Sequence, residues 1–142
     1  MKIGADNTIT IVAPRAEMGQ GISTTLAVMV AEELDVGLDQ VKVEHGPASY
    51  AYYNAAILEE GGPFAFFDES MTAEAVRSGL GVVGKFLALQ GTGGSASTRD
   101  GFVKMRQAGA AARQMLIAAA AQKLVVAAAD LDATDLVGAA AL

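Results

Sequence analysis

The stretch Thr8-Ile9-Thr10-Ile11-Val12-Ala13-Pro14-Arg15-Ala16-Glu17-Met18-Gly19-Gln20-Gly21, continued through Ser23–Leu34 to Val41-Lys42-Val43-Glu44, decides the fold. Its first five residues are β-branched throughout and predict a strand, with Asp6-Asn7 as the turn before it. Pro14 and the Gly19-Gln20-Gly21 triplet break that strand. Leu26, Met29, Val30 and Leu34 then recur at helical spacing, which predicts a helix over 23–34. Ser23 or Thr24 is its expected N-cap and Gly37 its expected stop, since a hydroxyl there can accept from a first-turn N–H. Val41-Lys42-Val43-Glu44 alternates apolar and charged residues and reads as a half-buried strand. Strand, Gly-rich loop, helix, strand is a βαβ pattern.

Downstream, residues 46–63 carry turn formers and Tyr50, Tyr52 and Tyr53, and read as irregular. A second helix is expected over 71–89. Gly79, Gly81 and Gly84 weaken it by about 1 kcal/mol each against alanine, and small residues at that density signal close packing. Gly91-Thr92-Gly93-Gly94-Ser95-Ala96-Ser97-Thr98 is a second Gly-rich loop. It leads into an Ala-rich helix expected over 101–123, capped by Thr98 or Asp100. On that helix Ala108, Ala112, Met115 and Ala119 form a small-residue stripe, and Arg106 and Arg113 share a face. Another short helix is expected after Asp130. The fold class is therefore α/β or α+β: a small mixed sheet with a βαβ unit, covered by Ala/Gly-rich helices, in one domain over 1–142.

Composition narrows the function. Of 142 residues, 52% are hydrophobic and 18% charged, which opposes a disordered, solvating chain. The longest apolar runs, such as Met115–Ala121, fall short of the roughly 20 residues that a bilayer crossing needs. Met1-Lys2-Ile3-Gly4 lacks the apolar stretch of a secretory signal. The absence of cysteine excludes a disulfide framework, a cysteine nucleophile and a thiolate-held iron–sulfur cluster in this chain. A single histidine, His45, opposes a multi-histidine metal site, and a net charge of -6 opposes a broad nucleic-acid footprint.

Both Gly-rich loops open a helix, where unpaired N–H groups and the positive end of the macrodipole favour an anion. Neither loop has the spacing of a dinucleotide fingerprint or of a phosphate-binding loop ending in Gly-Lys-Ser/Thr. On composition alone, plain turn-and-cap chemistry is the favoured reading of either loop. Glu17 reads as a turn residue rather than an acid–base catalyst, and Glu32-Glu33 and Glu59-Glu60 read as solvated faces. His45 is expected at the surface and the tyrosines in apolar gaps. Arg106 and Arg113 are divided between carboxylate partners and solvent.

As a string, Pro14-Arg15-Ala16-Glu17-Met18-Gly19-Gln20-Gly21, followed by Ala31-Glu32-Glu33-Leu34, is more specific. Together with Thr92-Gly93-Gly94-Ser95-Ala96-Ser97-Thr98-Arg99 and Arg106-Gln107-Ala108-Gly109-Ala110-Ala111-Ala112-Arg113, it resembles the molybdenum-cofactor-binding large subunits of the xanthine dehydrogenase and aldehyde oxidase superfamily. The isoquinoline 1-oxidoreductase beta-subunit type is the nearest in kind. The resemblance spans about residues 3–125, and 50–90 resembles an insertion between the two cofactor loops. It implies a partial molybdopterin-binding domain, with Met18, Gly19 and Gln20 on one side of the cofactor and Gly94, Ser95 and Ser97 on the other. Thr98 is a weaker candidate. The cofactor form implied is molybdopterin cytosine dinucleotide.

The implied reaction is hydroxylation of N-heterocycles or aldehydes, with electrons leaving through a separate [2Fe-2S] small subunit. The family's catalytic glutamate lies far downstream in a subunit several times longer. The resemblance therefore assigns no catalytic residue and no metal ligand here, and implies a chain that is inert and retains no cofactor without the remainder of the large subunit. An independent α/β module binding a nucleotide or phosphate, and a structural segment without ligand, are the alternatives.

Overall fold

The computed structural model describes residues 1–4, 6–65 and 67–131. Strand β1 (Lys2–Ile3) pairs antiparallel with β2 (Ile9–Ala13), and β2 pairs in parallel with β3 (Val41–His45), in the register Ile9↔Val41 to Ala13↔His45. The crossover between β2 and β3 is α1 (Ile22–Leu34), so the expected βαβ unit is present in a mixed three-stranded sheet. Along β2 the alternation of side chains buries Ile9, Ile11 and Ala13 against Leu26, Ala27 and Val30 of α1. β3 lies at the edge, and Val43 stays exposed.

Helix α1 stops before Gly37. Asp35 takes the left-handed conformation at φ 62°, and the Val36 N–H reaches back to the Ala31 carbonyl while that of Asp35 reaches Glu32. This is a Schellman closure made by aspartate, whose short polar side chain tolerates that conformation. The region 46–63 is more ordered than its composition suggests: a 3₁₀ turn spans Tyr50–Tyr52 and a short helix α2 spans Ala56–Glu60. Helix α3 (Met71–Phe86) packs chiefly on α2 rather than over the sheet, with Gly84 against the Ala55 backbone.

Helix α4 (Ala96–Leu124) begins five residues earlier than expected, because Ser95 at φ 61° ends the loop and Ser97-Thr98 already lie in the first turn. Asp100 is thus a buried residue inside the helix and not its cap. The packed stripe of α4 is also rotated from the expected one. Gly101, Met105, Gly109, Ala112 and Leu116 meet α1 and the core, while Ala108, Met115 and Ala119 are exposed. The helix expected after Asp130 lies outside the described residues.

α1 and α4 run side by side in the same direction. Gly101 meets Leu26, Gly109 meets Val30 and Glu33, and further along Arg113 pairs with Asp35. Two aligned helices put both N-termini, and hence both Gly-rich loops, at one end of the molecule.

Candidate cofactor cleft

The first turn closes on itself. The Glu17 carboxylate accepts the N–H groups of Gly19 (2.8 Å) and Gly21 (3.0 Å) through Oε1, and that of Ser23 (3.0 Å) through Oε2. Glu17 therefore caps α1, and neither Ser23 nor Thr24 does; the N-cap residue is Gly21 at φ 79°. The N–H groups of Ser23 and Gly21 hold the Glu17 carboxyl below its ordinary pKa. Gln20 braces the same turn: its Oε1 accepts from the Met18 N–H at 2.5 Å and its Nε2 donates to the Ala16 carbonyl at 2.8 Å. An amide has two donor hydrogens and two acceptor lone pairs, so one of each remains for another partner.

The second turn is open where the first is filled. Ser95, the N-cap of α4, makes no side-chain cap. Ser97 is 6% exposed, and its buried Oγ meets no hydrogen-bonding partner among the described residues. A buried hydroxyl without a partner is a costly arrangement that a ligand oxygen or a solvent molecule relieves.

The two turns meet. The Ala16 N–H donates to Thr92 Oγ1 at 3.0 Å, and a cleft of about 320 Å³ opens beside that bond. Met18, Gln20, Ile22 and Thr25 line it from the α1 side, and Thr92, Gly93, Ser95, Ser97 and Thr98 from the α4 side. Four of the six residues singled out in the sequence thus share one wall. Gly19 stands at φ 90° with open space around it, and Gly94 at φ 55° borders a neighbouring cavity of about 420 Å³ with Ser95, Glu60 and Arg99. Among the described residues, no group of three or more His, Asp or Glu side chains gathers to hold a metal ion, and no helix is long and apolar enough to cross a membrane.

Behind the cleft lies a network that composition did not reveal. The Arg15 guanidinium donates to the carbonyls of Pro14 (2.7 Å), Tyr52 (2.8 Å) and Tyr53 (3.1 Å) and to Asp100 Oδ2 (2.5 Å). Asp100 Oδ1 in turn accepts from the Ala55 N–H at 2.9 Å and from Lys104 Nζ at 2.6 Å. Lys104 also lies 3.7 Å above the centre of the Tyr53 ring, a cation–π contact rather than an apolar filling role for that tyrosine. Tyr50 is 82% exposed and fills no gap. His45 is exposed, whereas Glu33 and Glu60, expected on solvated faces, pair across elements with Arg106 and Arg99, and Arg113 pairs with Asp35.

Residues 1–57, which span the βαβ unit and its Glu-Met-Gly-Gln-Gly turn, match the family described as molybdopterin cofactor-binding domain. The match agrees with the resemblance carried by the turn. Among curated proteins, the isoquinoline 1-oxidoreductase subunit beta of Brevundimonas diminuta is 43% identical over 53 residues, which is 37% of this chain and 7% of that protein. The chain thus aligns with a small part of a much longer relative. No solved structure matches it.

Proposed function

We propose that the cleft forms part of the wall of a molybdopterin site in an oxidoreductase, with Met18, Gly19 and Gln20 facing the cofactor from the α1 side and Gly94, Ser95 and Ser97 from the α4 side. The observation that carries this reading is the convergence of the two turns on one cleft, one of them inside the matched segment 1–57. The donor chemistry fits the group. The uncapped start of α4 and the partnerless Ser97 hydroxyl suit phosphate oxygens, and the free half of the Gln20 amide suits the edge of a heterocycle. At α1 the N-terminal charge is already met by Glu17, so the anionic part of a ligand belongs on the α4 side.

When bound, molybdopterin supplies the redox chemistry, and these residues contribute binding and orientation. The cytosine dinucleotide is the form the resemblance favours. By the same resemblance the complete enzyme hydroxylates N-heterocycles or aldehydes and passes electrons to a separate [2Fe-2S] subunit, a division consistent with a chain that has no cysteine. The 142 residues alone are expected to hold no cofactor after purification and to turn over no substrate, because the family's catalytic glutamate comes from elsewhere in the large subunit.

The site assignment is tested by titrating the isotopically labelled chain with inorganic pyrophosphate and with cytidine monophosphate. The amide resonances of Ser95–Thr98 should shift, those of Gly21–Ser23 should move less, and Ser97→Ala should remove the response. Shifts that spare Ser95–Thr98, or that persist unchanged in Ser97→Ala, would contradict it. Turnover of isoquinoline or an aldehyde by the purified chain would overturn the expectation of inertness.

A further inference from the structure

Arg15 and Asp100 stand 85 residues apart, yet their side chains are 3% and 2% exposed and 2.5 Å apart. A buried pair of this kind yields little net stability against a well-packed apolar alternative, so its presence calls for another explanation. Its position supplies one. Arg15 immediately precedes the Ala16–Gly21 turn, and Asp100 lies one helical turn after Ser97. Between them runs the segment Tyr52–Ala55, which bonds to everything around it. The Tyr52 and Tyr53 carbonyls accept from Arg15, and the Ala55 N–H donates to Asp100. The buried Asn54 donates through its backbone N–H to the Leu89 carbonyl at 2.7 Å and through Nδ2 to the Gly91 carbonyl at 3.0 Å, at the start of the second loop.

The first turn is therefore tied to this short strut by the planar guanidinium fork, whose several bonds a single ammonium cannot reproduce. The second is tied by the Ala55–Asp100 and Asn54–Gly91 bonds, with Lys104 Nζ adding bonds to the Tyr53 carbonyl and to Asp100. The exposed pairs Arg106–Glu33 and Arg113–Asp35 cross the same two helices further along, where no cleft depends on them.

We propose that Arg15 and Asp100, joined through Tyr52–Ala55, are positioning residues that fix the separation between the Met18–Gln20 turn and the Ser95–Ser97 turn, so that the cleft is preformed before a ligand arrives. The proposal rests on the cofactor reading for its purpose, but its geometry is tested without any cofactor. Preorganisation of this kind spares a ligand the cost of ordering two loops on binding.

The chain has no native cysteine, so a labelled pair can be introduced cleanly. Nitroxides at Met18→Cys and Thr98→Cys report the gap across the cleft through their dipolar coupling. A second pair, Glu32→Cys and Gln114→Cys, reports α1 against α4 away from it. Each pair is read in the otherwise unaltered chain, in Asp100→Asn, in the milder Arg15→Lys and in Arg113→Ala. The expected result is one narrow cleft distance in the unaltered chain and in Arg113→Ala, lost to a broad distribution in Arg15→Lys and Asp100→Asn, while the Glu32/Gln114 distance stays narrow throughout. A broad cleft distance in the unaltered chain overturns the proposal, as does an unchanged one in both variants. Equal broadening of both pairs also overturns it, because the network would then hold only the fold. If Asp100→Asn fails to fold, Arg15→Lys alone decides the matter by the same criteria. A cleft that behaves as expected but never answers to pyrophosphate or cytidine monophosphate would reject the cofactor reading and leave the positioning role intact.

Discussion

Gly109→Ala is the sharpest test of how α1 and α4 bring the two loops together. In an isolated helix this change gains about 1 kcal/mol, because glycine loses more backbone freedom than alanine. Here the added methyl group would lie 2.7 Å from the Val30 carbonyl oxygen, 2.9 Å from Glu33 Cβ and 3.2 Å from Val30 Cα. Two of those three neighbours are backbone of α1, which cannot rotate out of the way as a side-chain tip can. To reach ordinary contact distance the helices must part by roughly 0.7 Å, and overpacking of this sort costs about 1–3 kcal/mol. Setting that against the propensity gain of about 1 kcal/mol leaves a net loss of up to about 2 kcal/mol. The matched control is Gly79→Ala on α3, where the site is exposed and nothing lies within 4 Å of the new methyl group. That variant should gain up to about 1 kcal/mol. Thermal unfolding followed by circular dichroism reads both, with Tm expected to fall by up to roughly 8 °C in Gly109→Ala and to rise in Gly79→Ala. A Gly109→Ala chain that gains stability as Gly79→Ala does would mean that α1 and α4 do not approach this closely.

Three further outcomes are expected. Replacing Glu17 by Gln should destabilise the chain at neutral pH, since the carboxylate that meets three N–H groups is lost. Its pKa is lowered in the folded state, so its stabilisation is full above the ordinary glutamate range and fades as the pH falls through the lowered value; unfolding curves of the two chains should converge in acid. Asp100→Ala leaves Arg15 buried without its counter-charge and should cost about 3–5 kcal/mol, measurable as a lower urea midpoint or as loss of folding. Ser97→Ala removes a buried hydroxyl that lacks a partner, so thermal unfolding should show stability unchanged or raised by up to about 1 kcal/mol even as anion binding is lost.

The sequence showed most where neighbours in the chain decide the structure. β2 follows from a β-branched run, and α1 and β3 from periods of 3.6 and two within short windows, and the structure keeps them with ends shifted by at most one residue. Met18, Gln20, Ser95 and Ser97 were legible as site candidates through motif strings, and the cleft brings these four together. What stayed hidden depends on partners far along the chain. Asp100 reads as a helix cap because aspartate favours that place; it lies inside the helix, where its partners include Arg15, 85 residues earlier, and Ala55, 45 residues earlier. Ser-Ala-Ser-Thr reads as loop, yet one left-handed residue at Ser95 turns the rest into helix. Asn54 carried no local signal at all, and its role emerges from bonds to Leu89 and Gly91.

Those bonds have a topological consequence. Because the Asn54 N–H meets the Leu89 carbonyl, the chain returns after α2 and α3 to the place it left, so that residues 55–88 hang from a closed mouth. A loop whose ends are already pinned can lengthen at a cost that rises only with the logarithm of its size. The cleft of Met18, Gln20, Ser95 and Ser97 is lined outside that excursion, by residues before Asn54 and after Leu89, while Ala55 reaches Asp100 and Glu60 reaches Arg99 from within it. Away from its Ala55 and Glu60 contacts, the α2–α3 arm can thus vary in length and surface while the two turns keep their spacing. A protein of this design can acquire new outer contacts there without disturbing the wall it presents to a ligand.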